Sequence, residues 1–401
     1  MTKLKILTIF GTRPEVIKVF PVLRALDKDP SFESFVVSTS QHREMIDDLL
    51  TLFEIKPGED LNIIRENQSL VDISTRVLSG LDPILNQHHP DLILIQGDTT
   101  TAFIGALTAF YRKIPIGHIE AGLRSKNKMH PFPEEINRRL ITQVADLHFA
   151  PTAASAQNLS KEGVNPEKIF TTGNTVVDSL QYIVGRKGRP LKAHLPENAL
   201  DFEHLIIVTA HRRENWGKPL EELCRAIQDL VRMYPDLSFL FPVHLNPMVR
   251  KTVFNMIGDE KNVFLIDPLP YDAFIRAITQ SYLVITDSGG IQEECPSLGT
   301  PVLVFRKVTE RPENIAAGGM KIVGLSRKNI VREVCRLLDD PKAHQQMITN
   351  HNPYGDGQAA RRITQAILHH FKQADRPDSF VPQKGKPFAS EDYLKVSNRL
   401  S

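Results

Sequence analysis

The chain has 401 residues, of which 41% are hydrophobic and 24% charged, and its formal net charge is +2. That length suits two hydrophobic cores better than one, and near-neutrality argues against a polyanion partner such as nucleic acid. Three scattered cysteines, Cys224, Cys295 and Cys335, fit neither a disulfide framework nor a zinc spacing, and no apolar run approaches the ~18 residues of a membrane span.

In chain order, short apolar runs alternate with helical patterns. The first segment enters a strand directly, without a signal-peptide pattern, so a cytoplasmic protein is expected. Strands are predicted over 5–10, 35–39, 92–96, 114–119 and 147–149, with one more strand or crossing segment near Ile169–Gly173. Helices are predicted over 15–26, 44–52, 70–87, 100–111, 136–144 and 153–162. The stretch 185–198 is rich in Gly, Pro and charge and is expected to link two domains, 1–184 and 199–350. A second series follows, with strands at 205–209, 238–242, 263–266, 282–286 and 302–305. Its helices are predicted at 219–233, 271–279, 290–298 and 328–338. Two such βα series predict two doubly wound Rossmann-like α/β domains facing across a cleft. A last helix, 358–372, is expected to rejoin the first domain. Residues 375–401 read as a tail, ordered only where it docks.

The chemistry-bearing residues sit where predicted strands end. Phe10-Gly-Thr-Arg-Pro-Glu15 runs from strand through glycine to helix, and Arg13 and Lys18 there suit an anionic ligand; two solvated bases on a glycine turn is the competing reading. Asp98, Glu120 and the Glu134-Glu135 pair each follow a strand or open a helix. Ligands in open α/β sheets bind beyond the carboxyl ends of the strands, so Asp98 and Glu120 are expected in one crevice. Any one of these carboxylates can be a simple helix cap. Together they suit proton transfer to or from carbon, because close like charges raise a carboxyl pKa.

In the second series, Thr209-Ala-His-Arg-Arg-Glu-Asn215 places His211 beyond a strand, suited to phosphate binding or proton shuttling. Pro242-Val-His-Leu-Asn-Pro247 is a second such loop, carrying His244. Thr286-Asp-Ser288 reads as a helix N-cap triplet leading into Gly289-Gly290 and Glu294. Two glycines opening a helix let a diphosphate approach free N–H groups. Glu294, about 9 Å along the helix, is placed to accept ribose hydroxyls. An ordinary capped helix with a solvated Glu is the alternative. Arg311, in Arg306-Lys-Val-Thr-Glu-Arg-Pro-Glu313, suits a carboxylate or a phosphate. No P-loop, no nicotinamide fingerprint and no trusted Asp-x-Asp metal motif is present, and basic residues do not interleave with aromatics.

Taken together, these stretches resemble the non-hydrolysing UDP-N-acetylglucosamine 2-epimerase family. The resemblance also rests on Gln41-His-Arg-Glu-Met45, Gly97-Asp-Thr-Thr-Thr101, Gly117-His-Ile-Glu-Ala-Gly-Leu-Arg124, Gly173-Asn-Thr175 and Asn352-Pro-Tyr-Gly-Asp-Gly357. The matching motifs run in family order over roughly residues 4 to 372.

The resemblance implies a GT-B fold and interconversion of UDP-GlcNAc and UDP-ManNAc without NAD or an essential metal. It further implies elimination of UDP to 2-acetamidoglucal, followed by re-addition. Matched residue by residue, Asp98, Glu120, Glu134 and His211 are engaged in the chemistry, with the C2 base left open among the carboxylates. Arg13, Lys18, Leu269, Phe274, Ser288, Gly289, Gly290, Glu294 and Arg311 match ligand contacts, with the UDP held mainly by the second domain. Some members bind a second UDP-GlcNAc as activator, and Gln41, Arg43 and His244 match that site; Asn67 stands where some of those members carry Arg. The resemblance also implies a homodimer serving cell-surface polysaccharide synthesis. The chain departs from the family pattern at His130-Pro-Phe-Pro133, at Lys307 and Val308 and at Cys295, which bears on substrate preference rather than reaction class. A GT-B glycosyltransferase, a hydrolysing relative and a non-catalytic nucleotide-sugar sensor are the competing functions.

Overall fold

The computed structural model describes residues 3–40, 43–65, 68–186, 191–196, 198–309, 311, 313–348 and 352–382, without the side chains of 43–45. The chain forms two compact units, Met1–Ser179 with Tyr354–Val381, and Leu180–Pro353.

The first unit is built on a seven-stranded sheet in the order β3-β2-β1-β4-β5-β6-β7, with every pairing parallel. Its strands are β1 (Leu4–Phe10), β2 (Phe32–Ser38), β3 (Glu59–Asp60), β4 (Leu92–Gln96), β5 (Ile116–Ile119), β6 (Leu147–Ala150) and β7 (Ile169–Thr171). Between them run α1 (Arg13–Lys28), α2 (Arg43–Phe53), α3 (Leu70–His88), α4 (Thr100–Tyr111), α5 (Glu134–Val144) and α6 (Ala153–Lys161), with α7 (Thr175–Val184) after β7. The central strands are covered on both faces, which is why Leu-Ile-Leu-Ile-Gln of β4 is an unbroken buried run rather than an alternating one. Leu7, Ile9, Ile93, Ile95, Val77, Leu81 and Ala106 belong to the core between this sheet and its helices.

The second unit carries a six-stranded, fully parallel sheet in the order β10-β9-β8-β11-β12-β13. Its strands are β8 (His204–Thr209), β9 (Leu237–Pro242), β10 (Val263–Ile266), β11 (Leu283–Thr286), β12 (Val302–Val304) and β13 (Met320–Ile322). Its helices are α8 (Lys218–Met233), α9 (Pro247–Ile257), α10 (Tyr271–Gln280), α11 (Gly289–Leu298), α12 (Glu313–Ala317), α13 (Arg327–Asp339) and α14 (Pro341–Met347). Helix α8 shows why these helices form where they do. Leu220, Leu223, Cys224, Ile227 and Leu230 recur at helical spacing and are buried on one stripe. Burial pushes the Cys224 thiol up to about 12 and raises that of Cys295 as well, so neither is a reactive thiolate.

Several elements lay beyond the sequence reading. Helices α7, α9, α12 and α14 and strands β3 and β13 are short or half-polar, so their patterns are weak. The division between units falls at Ser179–Leu180, inside α7 and upstream of the Gly/Pro-rich stretch. Residues 187–190 and 197 of that stretch lie outside the described residues, and Leu191–His194 form a single 3₁₀ turn.

The last helix, α15 (Ala359–His370), packs on α1 of the first unit. Residues beyond it dock on the same unit. The Phe380 amide donates to Thr171 O at 2.7 Å, Arg376 donates to Ile169 O at 2.7 Å, and the Phe380 ring is buried. Residues 383–401 of the expected tail lie outside the described residues. Among the described residues no helix is long and apolar enough to cross a membrane.

Candidate active site

In each sheet the strand order reverses once, between β1 and β4 in the first and between β8 and β11 in the second. Such switch points leave a crevice at the carboxyl ends of the strands. The residues singled out by their chemistry lie at or near the carboxyl ends of these strands, and each unit carries its own group of them.

In the first unit the loop after β1 is held by Glu15. This fully buried carboxylate accepts from the Gly11 and Thr12 amides at 2.9 and 2.7 Å, from the Thr12 hydroxyl at 2.8 Å and from the Thr99 hydroxyl at 2.6 Å. Burial raises its pKa, while those four donors pull the other way. Glu15 thereby ties the loop after β1 to the loop after β4. Gly11 is obligatory there, because a Cβ would meet Thr39 Oγ1 at 2.0 Å. Arg13 opens α1 and is half-buried.

Lys18 faces inward from α1 and is buried. It pairs with Glu120. Glu120 also accepts from Gln96 Nε2, and from Asn174 Nδ2 at 3.2 Å. Its backbone is left-handed, φ 67°, a conformation uncommon for a residue with a side chain and concentrated at functional sites. Asp98 pairs with Arg138, whose Nε lies 2.9 Å from Oδ2, and the Asp98 carbonyl accepts from Asn137 Nδ2 at 2.9 Å. Arg138 is held in turn by Glu135, fully buried, which also accepts from the Ser125 amide at 2.8 Å.

Of the adjacent pair that opens α5, Glu135 is therefore an anchor, while Glu134 is the half-buried neighbour at the helix start. The sequence reading missed Glu15, Gln96, Arg138 and Asn174. Arg138 lies one helical turn from Glu134 and Glu135, a spacing that was available as a signal.

In the second unit the Thr286-Asp-Ser288 triplet behaves differently from a cap. Ser288 is the N-cap but makes no side-chain bond to the first turn of α11. The fully buried Asp287 instead turns to the loop after β8. It accepts from the His211 amide at 3.1 Å, the Arg212 amide at 3.0 Å and Asn215 Nδ2 at 3.0 Å, and lies 3.0 Å from His211 Nδ1. Burial works to raise its pKa, but these donors outweigh it and hold the carboxyl below the usual range. Asp287 thus fixes the His211 ring at the switch point. His211 and the arginines lead into a 3₁₀ turn, Arg213–Asn215, rather than into α8, which starts only after Gly217.

Arg311 reaches α11 from the loop after β12. Its Nε donates to the buried Glu293 at 2.6 Å, and its guanidinium lies on the face of Gly289. The same loop is tied down by the Thr309 hydroxyl, which donates to Gln292 Oε1 at 2.6 Å. Glu294 is buried and accepts from the Tyr271 hydroxyl at 2.8 Å, so it is not a solvated helix carboxylate. Leu269 is buried and Phe274 half-buried around α10. The geometry therefore assembles a first turn with amides left uncapped by Ser288, an arginine laid over its glycine and an anchored carboxylate one turn further on. That set can hold a diphosphate and a diol.

His244 is exposed, with its ring centroid 6.2 Å from that of His211. Burial and the neighbouring His211 lower its pKa, opposed by Asp287. Gln41 and Asn67 lie outside the described residues, and Arg43 opens α2 with its side chain undescribed.

The chain is similar to known proteins in sequence and in fold. The profile of the UDP-N-acetylglucosamine 2-epimerase family matches residues 24–368. The UDP-N-acetylglucosamine 2-epimerase of Escherichia coli K12 is 49% identical over 369 residues, 91% of this chain and 98% of that protein. The crystal structure of UDP-GlcNAc 2-epimerase from Neisseria meningitidis bound to UDP-GlcNAc is similar at a TM-score of 0.86 and 45% identity, covering 91% of this chain and 100% of that one. The Methanocaldococcus jannaschii UDP-GlcNAc 2-epimerase in complex with UDP-GlcNAc and UDP is similar at a TM-score of 0.79 and 30% identity, with 91% and 100% covered. Two parallel α/β units with sheets of seven and six strands accord with the GT-B architecture of such neighbours.

Proposed function

This chain belongs to the UDP-N-acetylglucosamine 2-epimerase family and is a non-hydrolysing epimerase, an isomerase; on that premise we propose that it interconverts UDP-GlcNAc and UDP-ManNAc by eliminating and re-adding UDP. One of the first unit's carboxylates takes the C2 proton. The C1–O bond breaks with its electron pair leaving on UDP, which gives 2-acetamidoglucal. A proton returned to C2 on the opposite face, with attack of the UDP oxygen on C1, closes the cycle. Asp98, Glu120 and Glu134 are the acid–base groups in this reading, with no one of them singled out as the base, and His211 lines the departing diphosphate. Arg13 and Lys18 are first-unit ligand contacts. Ser288, Gly289, Gly290, Glu294 and Arg311 hold the UDP, with Leu269 and Phe274 beside the uracil.

The observation that carries the reading is the placement of Asp98 and Glu120 at adjacent strand ends, each held in place by a cation. Carboxylates so held are oriented to accept a proton from a bound sugar. Relatives that bind UDP-GlcNAc and UDP support the ligand. General base catalysis supplies roughly 10²–10⁴-fold, about 3–5 kcal/mol, which is too little alone. The remainder is assigned to stabilising the departing diphosphate with Arg311, His211 and the amides that open α11. By the same family reading, the enzyme is a cytoplasmic homodimer that supplies ManNAc units for cell-surface polysaccharide.

Incubating UDP-GlcNAc with the enzyme in D₂O tests the proposal. The expected result is deuterium at C2 of both sugars with UDP-ManNAc accumulating. Free ManNAc as the sole product would replace it with hydrolysis. Tight UDP binding with no exchange would replace it with a transferase or a sensor.

A further inference from the structure

Two motifs have no part in the chemistry above, Gly173-Asn-Thr175 and Asn352-Pro-Tyr-Gly-Asp-Gly357, and in the first unit they meet. The Asn174 amide donates to Tyr354 O at 2.7 Å. A Cβ on Gly355 would lie 3.0 Å from Val177 Cγ2, so the turn sits tightly on α7. Arg362 of α15 grips Asp356 through both terminal nitrogens, each at 2.7 Å, and reaches back to Thr172 O at 3.1 Å. Asp178 of α7 accepts from the Ala359 and Ala360 amides at 3.3 and 2.9 Å, closing the other side. The docked C-terminal segment adds Asp378, which accepts from Arg362 Nε at 3.2 Å.

What this clamp holds in place is the Asn174 side chain, which is 3% exposed. Its two ends do different things. Oδ1 accepts from the Val176 amide at 3.1 Å and so caps the start of α7. Nδ2 points the other way and donates to Glu120 Oε1 at 3.2 Å. That oxygen also receives Lys18, while Oε2 receives Gln96. We propose that Asn174 is a positioning residue for the epimerase reaction, locked by the 354–357 turn and α15 so that its amide fixes the orientation of the Glu120 carboxylate. The inference rests on the reading of Glu120 as an acid–base group.

Physical chemistry separates this role from a purely structural one. Asn174→Asp keeps an oxygen for the Val176 amide and keeps the backbone bond to Tyr354. It removes the donor to Glu120 and sets a second carboxylate against it. Lys18 of α1, Gln96 of β4 and Asn174 itself face Glu120 from neighbouring elements. With the last of these made anionic, proton uptake by Glu120 and the introduced carboxylate, titrating as a pair, moves to higher pH.

The experiment measures kcat, KM and the pH profile of kcat for wild type, Asn174→Asp, Asn174→Ser and Glu120→Gln, with thermal unfolding of each. Asn174→Asp is expected to lower kcat on the order of tenfold or more, leave KM within about threefold, and raise the acid limb of the profile by about one pH unit. Asn174→Ser, which retains an oxygen for the cap but cannot reach Glu120, is expected to lower kcat similarly without moving the acid limb. Should the Asp variant fail to fold, the kcat of the Ser variant decides the question. Wild-type kcat in a folded Asn174 variant, with Glu120→Gln inactive, overturns the positioning role alone. Wild-type turnover in Glu120→Gln overturns the reading beneath it.

Discussion

Replacing Gly289 with Ala separates ligand binding from stability within one position. An added Cβ would stand 2.6 Å from Arg311 Nη1 and 2.8 Å from its Cζ. Comfortable separation of such atoms begins near ~3.5 Å, so the guanidinium must retreat by about 1 Å. Retreat is opposed by Glu293, which is buried and holds Arg311 Nε at 2.6 Å. If Arg311 gives up one charge-assisted bond to the diphosphate, the loss is about 1.5–3 kcal/mol, or roughly 10- to 150-fold in UDP affinity. The backbone itself is suited to Ala. Gly289 is the first residue of α11 and its φ is not positive, so the helix gains up to about 1 kcal/mol from the exchange. Calorimetric titration with UDP should therefore show weakened binding, while the unfolding midpoint stays level or rises. In an Arg311→Ala background the same Gly289→Ala change should weaken binding little further, because the two residues act through one contact. UDP affinity within twofold of wild type for Gly289→Ala would refute the argument, and so would full additivity of the two changes.

Other outcomes follow from the same geometry. Asp98→Asn keeps the shape of the side chain but removes the charge that Arg138 pairs with, so turnover should be abolished while UDP affinity stays within a few fold; a large loss of UDP affinity would make Asp98 structural. His118 of β5 and His148 of β6 are register partners in the first sheet, and burial drives their pKa values down to about 3 and about 4. Both are neutral in the fold and titrate near 6.5 when unfolded, so the stability they contribute is intact above ~6.5 and is lost as pH falls toward the folded values. His148→Leu should flatten the dependence of unfolding free energy on pH by about one proton, ~1.4 kcal/mol per pH unit, between about pH 4 and 6.5; an unchanged slope in urea titrations would exclude His148 as the source.

Local chemistry made much of this protein readable from its residues alone. A short apolar run such as Leu92–Gln96, bounded by Pro90 and Gly97, favours a strand covered on both faces, and the spacing of Leu220, Leu223, Ile227 and Leu230 favours one helix stripe. Alternation of the two predicts a parallel α/β sheet, and glycines and acids at strand ends mark where ligands go. Short-range steric and hydrophobic preferences set those features, so they survive without knowledge of the fold. The roles that depended on a distant partner did not. Asp287 looked like a helix cap and proved to hold His211, 76 residues away. Lys18 was readable as a base near a helix start, but its pairing with Glu120, 102 residues away, was not. Neither Asn174 nor Glu15 announced that it would orient or tie together the loops that carry the chemistry. Such contacts arise only when the carboxyl ends of nonadjacent strands are brought side by side at a switch point. Strand order is settled by packing of the whole sheet, and no window of sequence contains it.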